Sequence, residues 1–249
     1  DFYLVLILVF LYAPIATMTV LSFNSSKSRT QWGGFTTRWY TELFSSSTIM
    51  TALYNTLLIA FLSSIIAVII GTAAAIAINN MKRVPRTIVM GITNIPMLNA
   101  DIVTGISLML LFIAFRFSLG FSTILLAHIT FNIPYVILSV MPKLKQTNVS
   151  TYEAALDLGA SPVYAFFKVV FPDILPGVLS GFLLAFTMSL DDFVISYFTS
   201  NTDQNLSMIV YSAAKLGVEP TMYALSTLMF LVILALLLII NRRSKLEEI

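Results

Sequence analysis

Apolar runs long enough to cross a lipid bilayer recur along the whole sequence. A helix needs roughly 20 consecutive apolar residues to cross the hydrocarbon core of a bilayer, which is about 30 Å thick. Of the 249 residues, 58% are hydrophobic and only 10% are charged. A soluble domain would carry about 25% charged residues. The sequence therefore predicts an all-α, polytopic membrane protein rather than a soluble core.

Six runs are candidates for membrane-spanning helices. They lie at about residues 2–23, 51–78, 88–115, 121–141, 174–199 and 223–240. The loops between them alternate between the two sides of the membrane, and cytoplasmic loops carry an excess of Lys and Arg. One set of loops holds five of the 14 cations, and the other holds nine, which are Lys82, Arg83, Arg86, Lys143, Lys145, Lys168, Arg242, Arg243 and Lys245. We therefore expect the second set, and both termini with it, to be cytoplasmic.

The cytoplasmic loop between the fourth and fifth runs contains signals for two short helices. Ser150 and Glu153 have the spacing of a capping box, which predicts a helix start just before Tyr152. Gly159 suits the position that follows a helix end. Ser161-Pro162 suits the N-cap and first residue of a second helix. Phe171-Pro172 is expected to close that helix, because proline cannot donate a backbone hydrogen bond.

The same loop carries a longer pattern at fixed spacing. Three residues separate Glu153-Ala154-Ala155 from Gly159, and nine residues separate Gly159 from Val169-x-Phe171-Pro172. This pattern resembles the EAA loop of the permease subunits of bacterial ABC importers, with Val169 and Phe171 in place of Ile and Leu. The resemblance implies the type I (MetI-like) permease fold as one domain over residues 1–249, with residues 142–173 as the loop that docks onto a cytoplasmic ATPase. It implies ATPase coupling by Glu153, Ala154, Ala155, Gly159 and Pro172.

Three other segments extend the resemblance to nearly the whole chain. They are "FNSSKSRTQWGGFTTRWYTELF", "NADIVTGISLMLLF" and "SLDDFVISYF", and they resemble segments of PotC-type permeases of spermidine/putrescine importers. The resemblance implies a polyamine substrate, a second permease subunit, an extracytoplasmic binding protein, and a dimer of ATP-binding subunits that holds ATP and Mg²⁺. The sequence contains no P-loop motif, so we expect no ATP site or other cofactor in this chain. The absence of cysteine argues against a thiolate metal site, and no basic pattern indicates nucleic acid.

Two adjacent carboxylates, Asp191 and Asp192, are the only charges between Ile174 and Ser200. A charge at the centre of a membrane helix costs roughly 2.5–3.5 kcal/mol, so such groups face water or a partner. Adjacent residues of a helix point about 100° apart. We therefore expect Asp191 to face a wet pathway. Asp192 is expected either near the outer end of that pathway or at a helix contact, where it would pair with Arg or Lys of a partner permease.

The third and fourth runs carry polar side chains beside Pro96 and Pro134. Asn94, Asp101 and Thr104 align on one helical face, as do His128, Asn132 and Tyr135. Interrupted spans with polar groups at mid-depth indicate a transport pathway. His128 is interpreted mainly as a packing residue. Tyrosines add cation–π contacts, and the predicted cation pathway therefore consists of Asp101, Asp191, Asp192, Tyr135, Tyr197, Asn94 and Thr104.

Two alternatives to a polyamine permease remain open from the sequence. The first is an ABC importer permease for another small solute, such as iron, an amino acid or an opine. The second is an intramembrane enzyme, in which Asp101 and Asp191 would meet as a catalytic dyad or metal site. That reading gives the EAA-like loop no purpose.

Overall fold

The computed structural model describes residues 2–201 and 203–246, and these ranges are helical apart from loops and an isolated bridge between Asn24 and Phe35. The chain divides into two compact units, one formed up to Thr51 and from Ile209 onwards, the other by Ala52–Met208. The helices are α1 Phe2–Leu21, α2 Arg38–Ser45, α3 Ser47–Asn79, α4 Arg83–Leu98, α5 Asp101–Ala114, α6 Phe121–Gln146, α7 Val149–Asp157, α8 Pro162–Ala165, α9 Phe171–Asp191, α10 Val194–Thr199, α11 Leu206–Leu216 and α12 Pro220–Leu246.

Four of these stretches are long and apolar enough to cross a membrane: Tyr3–Leu21, Ser47–Asn79, Phe121–Gln146 and Pro162–Asp191. Helices α4 and α5 form a fifth crossing only if the pair, bent by 103°, counts as one span. The predicted sixth span, 223–240, falls within α12, whose side chains at position 233 and from 235 onwards lie outside the described residues. The all-α membrane architecture is confirmed, and the count of six spans stays a prediction.

The first unit contains α1, α2, α12 and the polar segment that follows α1. Helix α12 packs against both α1 and α2. The buried Trp39 indole donates to the Asn24 carbonyl oxygen at 2.7 Å, and the hydroxyls of Ser22 and Tyr40 lie 2.8 Å apart. The Asn24 amide in turn donates to the Gln31 carbonyl oxygen at 2.9 Å. These bonds fold the polar segment against the start of α2.

The second unit has its core where α3, α6 and α9 meet. Small residues allow this close packing, as the G-x-x-x-G of α9 predicts. A Cβ atom on Gly177 would lie 3.0 Å from the Ser139 carbonyl oxygen of α6. A Cβ atom on Gly71 of α3 would lie 2.8 Å from the Val136 Cβ. Apolar side chains, including the fully buried Val140, fill the remaining space between the helices.

The third predicted span is broken, which corrects one part of the predicted pathway. Helix α4 ends at Leu98, and Asn99 and Ala100 have extended backbones before α5 begins. Pro96 stays inside α4, so the break falls three residues after it. Asn94 therefore lies on a different helix from Asp101 and Thr104, and the prediction that all three share one helical face is wrong.

The fifth predicted span, 174–199, is broken as well. Helix α9 ends at Asp191, Asp192 has an extended backbone (φ −61°, ψ 119°), and α10 begins at Val194. No proline lies at this break. Asp191 and Asp192 are therefore separated by the end of a helix, and not by the 100° step of a continuous one.

The start of the cytoplasmic loop differs from the prediction. Helix α6 continues to Gln146, beyond the predicted end at 141. The Asn148 side chain accepts a hydrogen bond from the Ser150 backbone N–H at 3.0 Å, so Asn148 is the N-cap of α7. The predicted capping box of Ser150 and Glu153 is wrong, because Ser150 already lies inside the helix. The predicted Ser161 cap is confirmed, with its hydroxyl accepting from the Tyr164 N–H at 3.3 Å.

The second helix of the loop does not close at Phe171-Pro172, contrary to prediction. A π-helical turn at Phe166–Val170 joins α8 to α9, so the helical run is continuous from Pro162 to Asp191. Pro172 has no N–H, and its ring would crowd the Lys168 carbonyl in a regular α-helix. The wider turn, in which the Phe171 N–H donates to Phe166, accommodates the proline without ending the helix.

Candidate functional site

A cavity of about 330 Å³ opens where α5 and α6 meet the break between α9 and α10. It brings together five of the seven predicted pathway residues, Asp101, Thr104, Tyr135, Asp191 and Asp192. The other lining residues are apolar: Pro96, Phe131, Met188, Phe193, Val194 and Ile195. The site is thus an apolar recess with carboxylates, a hydroxyl and a phenol on its wall.

Close packing of α5 against α10 places Asp101 at the break. A Cβ atom on Gly105 would lie 3.1 Å from a Phe198 ring carbon and 3.4 Å from the Ile195 Cα. Asp101 is the first residue of α5, one turn before Gly105. Its exposed carboxylate therefore lines the same cavity as the end of α9.

The two adjacent carboxylates have different surroundings. Asp191 is exposed, and within the described residues no other side chain hydrogen-bonds to its carboxylate. The Asp192 side chain is only 9% exposed. Its Oδ2 accepts from the Ser196 N–H at 2.8 Å and the Ser196 hydroxyl at 2.9 Å, and its Oδ1 accepts from the Ile195 N–H at 3.2 Å. Asp192 therefore caps the start of α10.

His128 holds the same carboxylate from α6. The His128 Nε2 lies 3.3 Å from the Asp192 Oδ2 and 2.9 Å from the Ser196 Oγ. These contacts hold Asp192 within the described chain, and the pairing of Asp192 with a cation of a partner permease, which the sequence left open, stays a prediction. The sequence analysis did not single out Ser196. Its position four residues after Asp192 could have indicated this contact.

The polar network continues on both sides of His128. The His128 Nδ1 lies 2.5 Å from the Ser189 Oγ, and that oxygen lies 3.3 Å from the Ser63 Oγ of α3. On the other side, the Asn205 amide donates to the Ser196 Oγ at 2.8 Å and to the Asp192 carbonyl oxygen at 3.0 Å. We call Ser63, Ser189, His128, Asp192, Ser196 and Asn205 the break network. The sequence gave no reason to single out Asn205.

Two predicted pathway residues do not line this cavity. Asn94 is half-buried on α4, and its Oδ1 has no hydrogen-bond partner in the described part of the chain. Tyr197 is 53% exposed on α10, and its ring packs against Phe193 and Phe198 with centroids 5.4 and 5.5 Å away. Neither side chain lines the cavity, although Tyr197 contacts the lining residue Phe193.

The predicted coupling residues form the exposed tip of the cytoplasmic loop. Glu153 and Ala154 are exposed, and Ala155 is half-buried. Gly159 ends α7 at φ +88°, a conformation that favours glycine, with its N–H donating to the Leu156 oxygen at 2.9 Å. Pro172 is exposed at the start of α9.

Apolar side chains are exposed around the same tip. Leu158, which sequence reasoning did not single out, is 90% exposed. Tyr164 and Phe167 are 60% and 58% exposed, although Phe167, like Phe166, packs against Phe171. Large apolar side chains in such exposed positions are typical of an interaction surface.

A membrane-spanning helical core, a carboxylate-lined recess at a broken helix and a protruding helical loop together define a transport permease. Residues 67–244 match the family described as "Binding-protein-dependent transport system inner membrane component", and the chain belongs to this family. It is 41% identical over 227 residues to the putrescine transport system permease protein PotI of Escherichia coli K12, covering 88% of this chain and 81% of that protein. It is 39% identical over 231 residues to the spermidine/putrescine transport system permease protein PotC of Haemophilus influenzae, covering 92% and 90%.

Solved structures confirm the predicted MetI-like fold. A subunit of a bacterial ABC transporter that imports alginate superimposes with a TM-score of 0.71 over 98% of this chain and 92% of its own, at 18% identity. The inward-facing MetNI methionine ABC transporter gives a TM-score of 0.65 over 80% and 96%, also at 18% identity. Membership of a transport family also argues against the alternative of an intramembrane aspartate enzyme.

Proposed function

We propose that this chain is the permease subunit of an ABC importer for polyamines and that the cation passes Asp101 and Asp191. The observation that carries the proposal is the cavity at the helix break, where these two carboxylates are exposed and lack a cationic side chain of the described chain. The names of the polyamine permeases among its relatives agree with a cationic substrate. A polyamine carries two or more ammonium groups along a flexible chain and suits separate carboxylates.

Uptake of radiolabelled spermidine and putrescine by cells that express the complete transporter tests the pathway. Asp101→Asn and Asp191→Asn should each lower uptake about tenfold at low substrate concentration, because each removes a charged contact. Glu42→Gln is the matched control, since Glu42 is a half-buried acid that pairs with Arg38 at 2.6 Å and does not line the cavity. Wild-type uptake in both aspartate variants would refute the proposed pathway.

Competition identifies the solute. Excess putrescine should displace labelled spermidine, whereas amino acids, opines and ferric iron should not. If spermidine fails to compete with the solute that the complex carries, the alternative of a permease for another small solute is correct.

In the proposed importer, ATP and Mg²⁺ bind to a dimer of partner ATPase subunits, and an extracytoplasmic binding protein delivers the substrate. A second permease subunit completes the pathway in a bacterial cell membrane, with both termini of this chain in the cytoplasm. The exposed tip around Glu153, Ala154 and Gly159 transmits ATPase closure to the spans. Exposure of Leu158 and Tyr164 beside it supports a docking role.

Coupling is tested by ATP hydrolysis in the purified complex. Gly159→Val forces a β-branched residue into a left-handed backbone conformation and should uncouple ATP hydrolysis from uptake while the subunits stay associated. Gly91→Val is the control, because a Cβ atom at Gly91 meets nothing within 4 Å and Gly91 lies on α4, away from the loop. Unchanged coupled uptake in Gly159→Val would overturn the role of this loop.

A further inference from the structure

The break network contains residues that lie behind the cavity lining and contact Asp192 directly or through a neighbour. Asp192 is adjacent to Asp191, yet its carboxylate is occupied by two backbone N–H groups, the Ser196 hydroxyl and the His128 ring. An extended residue at the end of a membrane helix leaves backbone groups without helical partners, which is costly in apolar surroundings. Asp192 supplies acceptors for the N–H groups that begin α10, and the break persists because that carboxylate is held in place.

His128 is the contact that ties this carboxylate to the rest of the unit. Within the described residues, every other hydrogen bond to the Asp192 carboxylate comes from α10 itself, from Ile195 and Ser196. His128 lies on α6, is 1% exposed, and its ring packs against Phe131 with centroids 5.1 Å apart. The Nε2 faces the Asp192 carboxylate and the Ser196 hydroxyl and is assigned as a donor, because a carboxylate can only accept, while the Nδ1 faces the Ser189 hydroxyl.

We infer that His128 is a positioning residue for transport: it fixes Asp192 inside the break, so that the exposed carboxylate of Asp191 lines the cavity with Asp101. This inference rests on the proposed function, because it assumes that Asp191 meets the transported cation. Asp192 then acts structurally and Asp191 acts on the substrate. His128 does not itself line the cavity, but it contacts two residues that do, Asp192 and Phe131, and it acts through Asp192.

Transport kinetics test the positioning role. His128→Phe keeps an aromatic ring against Phe131 but removes both ring nitrogens, and we expect it to raise the KM for spermidine about tenfold with a maximal rate within about twofold of wild type. His128→Gln, which restores a donor near the Nε2 position, should bring the KM most of the way back. Ser196→Ala, which removes one hydroxyl and keeps the backbone contact, should raise the KM less. Thr130→Val is the control, since its exposed hydroxyl bonds only the Leu126 oxygen of its own helix.

A thiol probe reports the geometry without reference to the transported solute. The chain contains no cysteine, so Asp191→Cys introduces a unique thiol whose reaction with a charged methanethiosulfonate is followed on this chain. Adding His128→Phe should change the labelling rate about threefold or more, and adding His128→Gln should change it less. A thiol at Thr187, an exposed residue of α9 before the break, should react at the same rate in every background.

The outcomes separate the inference from the proposed function. A wild-type KM and an unchanged labelling rate in His128→Phe, alongside a raised KM in Asp191→Asn, would overturn the positioning role alone. A wild-type KM in Asp191→Asn would remove Asp191 from the proposed pathway and overturn the inference with it. If His128→Phe does not assemble, Ser196→Ala decides the question by the same KM measurement.

Discussion

The α-helical hydrogen-bond pattern from Pro162 to Thr199 is interrupted twice, first by a π turn that leaves the helix continuous and then by a break that ends it. The two interruptions differ in what replaces the lost hydrogen bonds. At the inner end Pro172 removes a donor, yet the run continues because the π turn at Phe166–Val170 shifts the pairing by one residue. At the outer end no proline is present, yet the run breaks at Asp192. There the Asp192 carboxylate accepts from the Ile195 and Ser196 N–H groups in place of helical carbonyls, and the His128 ring contacts that carboxylate.

The comparison shows that proline alone does not decide where a membrane helix breaks. A proline that a wider turn accommodates leaves the helix continuous. A break persists where a buried polar side chain satisfies the exposed backbone groups. The break network does this at the outer end, and one of its members, Asp192, also lines the cavity.

Removing the Asp192 carboxylate at the outer end should have the largest effect on the free energy of unfolding. Asp192→Ala leaves the Ile195 and Ser196 N–H groups without their acceptor and removes one contact of the His128 ring, and it should lower the free energy of unfolding by about 3 kcal/mol. The apparent melting temperature of the purified protein in detergent measures this. Asp192→Asn keeps one oxygen acceptor and should lose less. Equal melting temperatures for Asp192→Ala and wild type would mean that the break does not need its cap.

The segment between the interruptions depends on close packing against α6. Gly177→Leu places a side chain where a Cβ atom already lies 3.0 Å from the Ser139 carbonyl oxygen, and should destabilise the protein by about 2 kcal/mol. Gly91→Leu, at a position with nothing within 4 Å of the added Cβ, is the matched control and should change the melting temperature little. A similar loss in both variants would show that helix length or propensity, and not the α6 contact, dominates.

Periodicity, spacing and small-residue patterns predicted the helical class, the close approach at Gly177 and the Gly159 corner. They also predicted that Asp101, Tyr135 and Asp191 belong together, and the structure places all three at one cavity. The sequence did not predict the break at Asp192, because part of the network there joins residues that are far apart along the chain, such as His128 and Asp192. The sequence did not predict the π turn either. Pro172 predicts that one backbone donor is lost, but it does not predict whether the preceding turn widens to accommodate the proline.

Removing the proline at the inner interruption should affect coupling more than stability. Pro172→Ala restores a backbone N–H and allows the π turn to become α-helical, which would rotate α8 by about 100° relative to α9. We expect a melting temperature equal to or above that of wild type, together with weaker stimulation of ATP hydrolysis by the substrate-loaded binding protein. Pro162→Ala, at the first residue of α8 where a proline N–H is not needed, is the control. Lower stability with full coupling in Pro172→Ala would contradict this account of the π turn.

The smallest effect is expected at the Asn148 cap, which is exposed, in contrast to the Asp192 cap at the break of the membrane helix. Asn148 caps α7 as Asp192 caps α10, but Asn148 is exposed, so water can replace its side chain. Asn148→Ala should therefore destabilise α7 by only about 1 kcal/mol, and hydrogen exchange of the first α7 amides measures it. Ser150→Ala, the residue that the sequence pattern favoured, should leave their exchange nearly unchanged, since no hydrogen bond of its hydroxyl is seen within the described chain. If Ser150→Ala accelerates exchange more than Asn148→Ala, the capping box operates in solution. If instead Asn148→Ala destabilises the protein as much as Asp192→Ala, the apolar surroundings of the break do not strengthen its cap.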